Sequence, residues 1–391
     1  MSKVLLGDVA IERKETCKSS KEGYPVVGLE HLIPEEITLS AWEEGSDNTF
    51  TKMFRKGDML FGRRRAYLKK AAVAPFDGIC SGDITVIAAK SERILPEILP
   101  FVIQNDVFFD YAVGKSAGSL SPRVKWEHLK NYEFDLPDME TQRKLADLLW
   151  AMDATKKSYQ EMIHMTDELV KSQFIVHFGD CIKNDRCWDS KCLHEVLAEG
   201  CTVTYGIVKT EDDIPGGIPV FRPIDISQGH IPVRSELKRT TKEISDQYKR
   251  TLLKGNELLV TIRGSIGETY QISEEFSGCN VGRNIVPLRA NTDILLQGFL
   301  KAVIDSTAFQ RKIADITKGV ALKGININEF KVCPIILPPL DLQQKWIEFS
   351  QQIDKSKYSI IKCLIQMQNL PARSVVDLAG RLYEFYARLL R

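Results

Sequence analysis

The sequence contains one long segment twice, and this repeat restricts the possible folds more than any other feature. The first copy starts as LPDMETQ at Leu136, and the second starts as LPPLDLQ at Leu337, 201 residues later. The residues that recur are Leu136, Pro137, Gln142, Lys144, Asp153, Lys156 and Ser158 in the first copy, and Leu337, Pro338, Gln343, Lys345, Asp354, Lys357 and Ser359 in the second. A repeat of this kind indicates a tandem duplication.

Each copy predicts a helix that begins just after the Leu-Pro pair. Proline followed by Asp138 and Glu140, or by Asp341, is typical of a helix start, because acidic groups there face unpaired amides and the positive end of the helix dipole. Apolar residues then alternate in steps of four and three for about four heptads, as in a coiled-coil seam. The predicted seam residues are Leu145, Leu148, Met152, Tyr159, Trp346, Phe349, Ile353 and Ile360.

Two matched seams in one chain favour packing of the helices against each other over two separate core helices. Helices of about 40 residues are about 60 Å long. If the segment between them is compact, the second helix starts near the end of the first, so the two helices run antiparallel. The sequence therefore predicts a long spacer with a globular domain at each end and approximate two-fold symmetry.

The segments outside the helices repeat as well. Both contain short β-branched runs separated by Gly, Asp and Pro, which is typical of strands in a mixed domain. KCLHEVL corresponds to LLGDVAI, IPVFRPIDI to YPVVGLEHL, and NIVPLRA to DITVIAA. KGNELLVTIRG corresponds to KGDMLFGRRR, which pairs Lys254, Gly255, Leu258 and Arg263 with Lys56, Gly57, Leu60 and Arg65.

These patterns predict an α+β fold with two pseudo-symmetric globular α/β domains, separated by two long antiparallel coiled-coil helices. The spacing between the repeats drifts from about 187 residues at the start to 201 at the end, as loop insertions would cause. The predicted boundaries are 1–136 for the first domain, 137–180 for the central helix, 181–337 for the second domain, and 338–391 for the C-terminal helix with its tail.

Composition predicts a cytoplasmic protein. The sequence has no run of 18 apolar residues and no signal-like N-terminus, which favours neither a membrane span nor secretion. Nine cysteines without regular pairing fit a reducing compartment. The net charge of +1 argues against wholesale binding of polyanions but is compatible with a local binding surface.

The strongest local charge lies in residues 52–70, KMFRKGDMLFGRRRAYLKK, with eight basic residues and one acidic residue, Asp58. Arginine forks match phosphate oxygens and the O6/N7 edge of guanine. A solvated surface loop is the alternative interpretation of such a run. The candidate nucleic-acid contacts here are Arg63, Arg64, Arg65, Tyr67 and Lys69.

The corresponding loop of the second domain, TIRGSIG, supplies further candidates. Its glycines allow a close approach of the backbone to phosphate, although such a turn is a weak signal. Glycine-bearing turns before each long helix are small, polar and basic, and they suit phosphate positioning more than base recognition. The candidates are Thr261, Arg263, Ser265, Arg283, Asn284, Lys318 and Lys323, together with Lys115 and Ser116 in the first domain.

No established catalytic motif occurs in the sequence. It lacks G-x-x-x-x-G-K-[ST], G-x-G-x-x-G after a strand, H-E-x-x-H, and the Asn/Asp-Pro-Pro-aromatic motif of methyltransferases. A nuclease-like pattern too short to be specific comprises Pro223, Asp225, Glu236 and Lys238. A group of His177, Cys181, Cys187, Cys192 and His194 lacks the spacing of a zinc module, which favours buried cysteines and ordinary histidines. We therefore expect no catalytic residue and no metal site.

The repeated plan, with LPDMETQ and LPPLDLQ at the helix starts, resembles the specificity subunit of type I restriction–modification enzymes. KGDMLFGRRRAY and KGNELLVTIRGSIG resemble its target-recognition domains, and LVKSQFIVHFGD resembles the end of its central helix. The resemblance implies a non-catalytic subunit in which each domain recognises one half of a split duplex DNA sequence, while the antiparallel helices fix the spacer between the halves.

The same resemblance implies that the chain binds partner subunits and that the cofactors are bound by those partners. Two methyltransferase subunits would use S-adenosylmethionine to methylate adenine N6, and motor–nuclease subunits would use ATP and magnesium, so this chain itself needs no cofactor. Two other interpretations remain: a coiled-coil scaffold that does not contact DNA, and a metal-dependent nuclease built on Asp225, Glu236 and Lys238.

The C-terminus departs from the family's pattern. Pro371 predicts a kink or an end of the second helix. The sequence after it has no counterpart to LVKSQFIVHFGD. Candidates for contacts of this tail with the N-terminal domain or a partner are Arg381, Tyr383, Tyr386 and Arg388.

Overall fold

The computed structural model describes residues 2–18, 20–45, 48–209, 213–226, 232–319 and 323–368, with the backbone alone for 365–368. The chain divides into two compact units, one containing residues up to Glu161 and from Ile360 onward, the other containing Met162–Ser359. The predictions for Pro371 and the tail residues Arg381, Tyr383, Tyr386 and Arg388 lie outside the described residues.

The first unit consists of short strands and helices that lead into a long helix. Its elements are β1 (Ser2–Leu5), α1 (Leu6–Val9), β2 (Ala10–Glu12), β3 (Pro25–Val27), β4 (Glu43–Glu44), β5 (Lys52–Phe54), β6 (Met59–Gly62), β7 (Ala71–Val73), β8 (Gly78–Cys80), β9 (Ile84–Ala89), α2 (Leu99–Ile103), α3 (Asp106–Gly114), α4 (Trp126–Leu129), β10 (Glu133–Leu136) and α5 (Met139–Phe178). Helix α5 has 40 residues, and it is therefore about 60 Å long.

Two four-stranded sheets form the first domain, in the orders β2-β9-β6-β7 and β4-β3-β8-β5. Strands β3 and β8 are parallel, whereas the other pairs in these sheets are antiparallel. Strand β6 is buried on both faces: Met59 and Phe61 belong to the core beneath the helices, and Leu60 belongs to the core between the sheets. Because successive side chains of a strand point to opposite faces, a strand between two cores is hydrophobic throughout.

The second unit repeats this architecture. Its elements are β11 (Ser190–Cys192), β12 (Ile218–Phe221), β13 (Arg239–Thr240), α6 (Lys242–Gln247), β14 (Leu258–Thr261), β15 (Thr269–Gln271), β16 (Asn280–Val281), β17 (Ile285–Leu288), α7 (Gln297–Asp305), α8 (Thr307–Asp315), β18 (Thr317–Lys318), β19 (Gly324–Ile325), α9 (Ile327–Lys331), β20 (Pro334–Ile336) and α10 (Leu340–Gln368). The orders β13-β12-β16 and β15-β14-β17 correspond to β4-β3-β8 and β7-β6-β9 of the first domain.

The structure confirms the predicted α+β fold of two similar domains. In both units the first strand pairs with the strand before the long helix, β1 with β10 and β11 with β20. The drift in repeat spacing is also explained. The pair Ala10–Ala89 corresponds to Leu197–Ala290, which are 187 and 201 residues further along.

One predicted correspondence is wrong by a residue. In β6, Gly62 pairs with Ile84, and in β14, Thr261 pairs with Ile285. Leu60 is therefore equivalent to Leu259 rather than Leu258, and Arg64 rather than Arg65 is equivalent to Arg263. The turn before β14 contains an extra residue with positive φ, because Gly255 and Asn256 are both left-handed where the first domain has Gly57 alone.

Within the second unit, α5 and α10 run antiparallel, as predicted. Phe174, near the end of α5, packs edge-to-face against Trp346 near the start of α10, with ring centroids 5.3 Å apart. Earlier in α5, Asp167 forms an ion pair with Lys357, further along α10. Trp346 thus contacts α5, whereas Phe349 contacts Trp346 of its own helix, with ring centroids 5.4 Å apart, and packs against the core of the second domain.

The predicted seam needs a correction in the first unit. Leu145, Leu148 and Met152 pack into the core of their own domain, together with Ala146 and Leu149. An apolar stripe along a helix does not reveal whether a partner helix or the helix's own domain covers it. The remaining seam residues are half-buried, and their pairing stays a prediction: Tyr159, Ile353 and Ile360.

A buried glutamine attaches each long helix to its domain. The side-chain oxygen of Gln142 accepts the amide of Leu95 at 2.8 Å, and its nitrogen donates to the carbonyl of Pro137 at 2.9 Å. Gln343 accepts from Leu296 at 2.8 Å and donates to the carbonyl of Pro338 at 2.8 Å. Both glutamines are at most 1% exposed.

None of the helices in the described part of the chain combines the length and the apolar character that crossing a membrane requires.

Replacing Gln343 with alanine should destabilise the second unit. The change leaves the Leu296 amide and the Pro338 carbonyl without their partner in the interior, which costs about 2–4 kcal/mol of unfolding free energy. Urea denaturation followed by circular dichroism measures this cost.

Gln344→Ala is the matched control. The side chain of Gln344 is exposed and its amide reaches only Glu348, so the change should stay within about 0.5 kcal/mol. Equal effects of the two substitutions would mean that the buried amide has no special role.

Candidate nucleic-acid interface

In the first unit, the predicted basic loop lies beside two other segments. The Arg63 amide donates to the Asp83 carbonyl at 3.0 Å, and the Arg63 carbonyl accepts the Val124 amide at 3.0 Å. The Arg65 amide donates to the carbonyl of Pro122 at 2.8 Å. These backbone bonds join the segments that we call the first contact surface: 63–65, 81–83 and 115–124.

Asp83 lies at the centre of this surface. Its carboxylate accepts two hydrogen bonds from Arg123, Nε to Oδ1 at 2.7 Å and Nη2 to Oδ2 at 3.2 Å. Arg64 Nη1 is 3.5 Å from Oδ2, and Arg64 Nη2 donates to the Ser121 hydroxyl at 3.1 Å. The hydrogen bond from Arg123, with the neighbouring positive charges, lowers the pKa of Asp83 from its ordinary value.

The two arginine side chains reach solvent although they are held in place. Arg64 and Arg123 are 40% and 43% exposed, compared with 20% for Asp83. Arg63 differs, because its Nε is buried and has no hydrogen-bond partner among the described residues. Arg63, Asp83 and Arg123 line a surface cavity of about 670 Å³. The surface thus combines fixed positive charge with an open depression.

The other candidates of this domain have different surroundings. Arg65 is exposed with a left-handed backbone, φ 54°, and Tyr67 is 54% exposed. Lys69 forms an ion pair with Asp106 at 2.5 Å, which raises the pKa of the lysine.

Lys115 and Ser116 lie at the end of α3, at the edge of the first contact surface. The ammonium group of Lys115 lies 5.6 Å from the ring centroid of Tyr111. The Ser116 hydroxyl donates to the Ala112 carbonyl at 2.9 Å. Ser116 thus shapes the end of α3, whereas the exposed Lys115 remains a candidate for phosphate contact.

The second domain has the same backbone arrangement with other side chains. The Ile262 amide donates to the Asn284 carbonyl at 2.8 Å, and the Ile325 amide donates to the Ile262 carbonyl at 3.0 Å. Arg263 forms a bridge with Gly324, as Arg64 does with Arg123. The second contact surface therefore has Arg263, Asn284 and Gly324 in place of Arg64, Asp83 and Arg123.

Thr261 is a correction to the predicted contacts. Its side chain is fully buried, and its hydroxyl accepts the Glu268 amide at 3.0 Å and donates to the Ser265 carbonyl. Gly264 and Gly267 have φ of 84° and 85°, which a turn this tight requires. Thr261 therefore shapes the loop that carries Arg263.

The remaining candidates of the second domain lie on its surface. Arg283 and Lys323 are exposed, whereas Asn284 is half-buried, with an Oδ1 atom that has no hydrogen-bond partner among the described residues. Lys318 is 64% exposed and forms an ion pair with Glu329. Ser265 is half-buried in the same loop as Arg263.

Of the nuclease-like residues, Asp225 supports the local fold. Asp225 is buried and accepts from the Arg222 side chain at 2.8 and 3.1 Å and from the Arg222 amide at 2.7 Å. The carboxylate thus caps a single turn of 3₁₀ helix, while Glu236 is exposed and Lys238 half-buried. Within the described ranges, no three acidic, histidine or cysteine side chains form a group that could hold a metal ion.

In the cysteine and histidine group the expectation of burial is confirmed for Cys181 and wrong for Cys187, which is exposed, while Cys192 is half-buried. The Cys181 thiol is buried and lies 3.1 Å from the Ser306 hydroxyl, and burial raises the pKa of Cys181 to about 11. His194 Nδ1 lies 3.0 Å from the Lys331 carbonyl, and the His177 ring lies 6.4 Å from that of Trp346.

Two residues of the first contact surface escaped the sequence analysis. Arg123 follows a Ser-Pro pair and Asp83 follows Ser-Gly, so each looks like an ordinary turn residue. Their pairing joins segments 40 residues apart. A sequence signal existed for Asp83, because it is the first residue of DITVIAA and so corresponds to Asn284, the first residue of NIVPLRA, which was already a candidate.

Comparisons with known proteins agree with the duplication. The family described as type I restriction modification DNA specificity domain matches residues 2–163 and again residues 187–367. The specificity subunit of the type I restriction enzyme EcoBI from Escherichia coli is 30% identical over 186 residues, 48% of this chain and 38% of that protein. The chain thus spans less than half of that relative.

A second relative extends the match over more of the chain. The specificity subunit of the type I restriction enzyme MjaIX from Methanocaldococcus jannaschii is 26% identical over 325 residues, 77% of this chain and 72% of that protein.

Solved structures show the same fold at low identity. A chain described under the complex assembly and conformational transition of the type I R-M system has TM-score 0.54 and 21% identity, with 97% of both chains covered. The S subunit of a type I restriction–modification system from M. genitalium has TM-score 0.52 and 10% identity, covering 97% of this chain and 95% of that one. At these identities the likeness concerns the fold alone.

Removing Arg123 should raise the pKa of Asp83. The Asp83 pKa is lowered in the folded protein, so the pair stabilises folding above the unfolded-state pKa of about 3.9, and this contribution disappears as the pH falls through the folded-state value. Arg123→Ala should be less stable than the unsubstituted protein at pH 7, and the difference should shrink below about pH 4.

Carbon-detected NMR titration of Asp83 and denaturation at pH 7 and pH 3 test this prediction. Arg93→Ala, at an exposed arginine of the same domain, is the control and should leave the Asp83 pKa in place. An unchanged Asp83 pKa in Arg123→Ala would contradict the prediction.

Proposed function

The chain belongs to the family of type I restriction–modification DNA specificity domains, and we propose that it is a non-catalytic, sequence-specific DNA-binding subunit of such a system. Each domain recognises one half of a two-part duplex target. The chain positions two methyltransferase subunits, which modify adenine N6 with S-adenosylmethionine. Motor–nuclease subunits that use ATP and Mg²⁺ join the same assembly.

The observation that carries this proposal is the pair of contact surfaces. Their backbones are held by equivalent hydrogen bonds, whereas Arg64, Asp83 and Arg123 are replaced by Arg263, Asn284 and Gly324. Equal scaffolds with unequal side chains suit two half-sites of different sequence. Base edges in the major groove differ in their donors and acceptors, so a change of side chain changes the preferred base.

The other candidates contribute phosphate contacts. Each domain has further exposed or half-buried cations in the loop of its central arginine or in nearby turns, and phosphate contacts position a protein on the duplex without specifying sequence. Those of the first domain are Arg63, Arg65, Lys69 and Lys115, together with the exposed ring of Tyr67, and those of the second domain are Arg283, Lys318 and Lys323.

Substituting one central arginine should affect one half-site only. Arg64→Ala should weaken binding to a duplex with an intact first half by about 1–3 kcal/mol and leave discrimination at the second half intact, whereas Arg263→Ala should do the reverse. Fluorescence anisotropy with duplexes altered in one half measures both effects. Arg143→Ala, at an exposed arginine on α5, is the control. Binding unchanged by either loop substitution would exclude these loops from recognition.

Methylome sequencing of cells that contain this chain and a methyltransferase of the same system tests the function as a whole. We expect a two-part adenine motif with a fixed unspecified spacer, because two domains on one helical spacer contact DNA at a set distance. Exchanging residues 1–135 for those of a relative should alter one half only. Co-purification with the methyltransferase but no methylated motif would contradict DNA recognition and favour the scaffold interpretation.

A further inference from the structure

The two contact surfaces differ in charge at their centres. On the first surface a carboxylate lies between two arginines, because Asp83 accepts both hydrogen bonds from Arg123 and lies 3.5 Å from Arg64 Nη1. On the second surface, the position equivalent to Asp83 has the neutral amide of Asn284. The position equivalent to Arg123 has Gly324, which carries no charge. A carboxylate beside DNA repels phosphate, so Asp83 lowers the general attraction for DNA while it orders two arginines.

We propose that Asp83 is the positioning residue of a two-arginine recognition unit. Arg64 and Arg123 contact the first half-site, and Asp83 holds them in the contacting geometry and away from other phosphates. The second domain recognises its half-site with the single arginine Arg263. This inference rests on the proposed function, and it adds Arg123 as a further DNA-contact residue.

The hydrogen bonds leave both guanidinium groups able to bind a ligand. A guanidinium has five N–H donors, and the carboxylate takes two from Arg123. Arg64 is fixed from two sides, by Asp83 through Nη1 and by the Ser121 hydroxyl through Nη2. Both side chains remain about two-fifths exposed, so the donors that remain reach the surface.

Positioning before binding matters most for a long side chain. An arginine that is free in solution loses rotamer freedom when it contacts a base, and an arginine already held by a carboxylate loses less. The backbone that carries the Asp83 carboxylate is fixed, because the Asp83 carbonyl accepts the Arg63 amide and the Asp83 amide donates to the Ser81 hydroxyl at 3.2 Å. The fixed backbone thus holds Asp83 in place, and the Asp83 carboxylate in turn holds both arginine side chains.

The second domain shows that the fold accepts an amide at this position. The Asn284 carbonyl accepts the Ile262 amide at 2.8 Å, as the Asp83 carbonyl accepts the Arg63 amide at 3.0 Å. Arg263 lies over Gly324, where an added Cβ would come within 3.1 Å of its Cγ and Nε atoms. Asp83→Asn therefore gives the first domain the amide of the second, and Asn284→Asp gives the second domain the carboxylate of the first.

The test measures DNA binding by the full 391-residue chain, alone and with its methyltransferase, by fluorescence anisotropy over a salt series. The probes are a duplex with the methylated motif and matched duplexes with one half scrambled. For Asp83→Asn we expect the preference for the intact first half to fall about tenfold. Affinity for the scrambled first half should rise, and the salt slope should steepen by about 1, because released arginines bind phosphate.

Asn284→Asp is the reciprocal variant. It should weaken binding to DNA with a scrambled second half and leave preference at the first half unchanged, since it adds a negative charge in the second domain only, next to Arg283 and to the loop that carries Arg263. Circular dichroism checks that both variants are folded.

The outcomes separate this inference from the proposed function. If the unsubstituted chain does not distinguish intact from scrambled duplexes, the proposed function fails. If it does distinguish them and Asp83→Asn keeps the same preference and salt slope, the positioning role is overturned. Equal weakening on intact and scrambled duplexes would also overturn it, because a carboxylate that merely supports the fold has that effect.

Discussion

The buried amide at the start of each long helix is the interaction on which the rest of the structure depends. One side-chain group accepts a backbone N–H from the segment before α2 or α7 and donates to a backbone carbonyl before its own helix. An uncharged amide has an acceptor oxygen and a separate donor nitrogen, and the long side chain of glutamine lets the two atoms reach partners in different segments. An apolar side chain at Gln142 or Gln343 would leave two buried polar groups unpaired, and an ionised glutamate could not donate.

This attachment makes the first turns of each long helix part of a domain core. Ala146 and Leu149 of α5 belong to the core beneath the first sheet, and Trp346 of α10 belongs to the core of the second domain with Phe299. A helix held at its start by hydrogen bonds and along its first turns by packing has a fixed direction relative to its own sheet. The contact loops extend from the same sheets, so their placement relative to the helix is fixed as well.

The sequence was sufficient to predict the duplication, both long helices and their antiparallel course within the second unit, because periodicity and repetition can be read directly from the residues. It was insufficient wherever the answer depended on what covers a surface. Leu145 and Leu148 fit a coiled-coil seam equally well whether a helix or a domain packs on them. The one-residue shift that makes Arg64 the equivalent of Arg263 arises in a turn, where Asn256 adopts a left-handed backbone that no periodicity reveals. Asp83 and Arg123 meet only after three segments fold together.

The two domains keep the same side chains where those side chains hold the fold together, and they differ where the backbone alone does so. Gln142 and Gln343 are buried, and Asp58 and Glu257 accept backbone amides three residues earlier at 2.8 and 2.9 Å, so their chemistry is retained in both halves. The central contact positions depend on the backbone instead: the bonds from residues 63 and 262 to carbonyls 83 and 284 do not involve side chains. A carboxylate can therefore become an amide, and an arginine a glycine, without loss of the bonds that hold the loops. Half-sites can diverge in sequence because the groups that contact DNA are not the groups that maintain the fold.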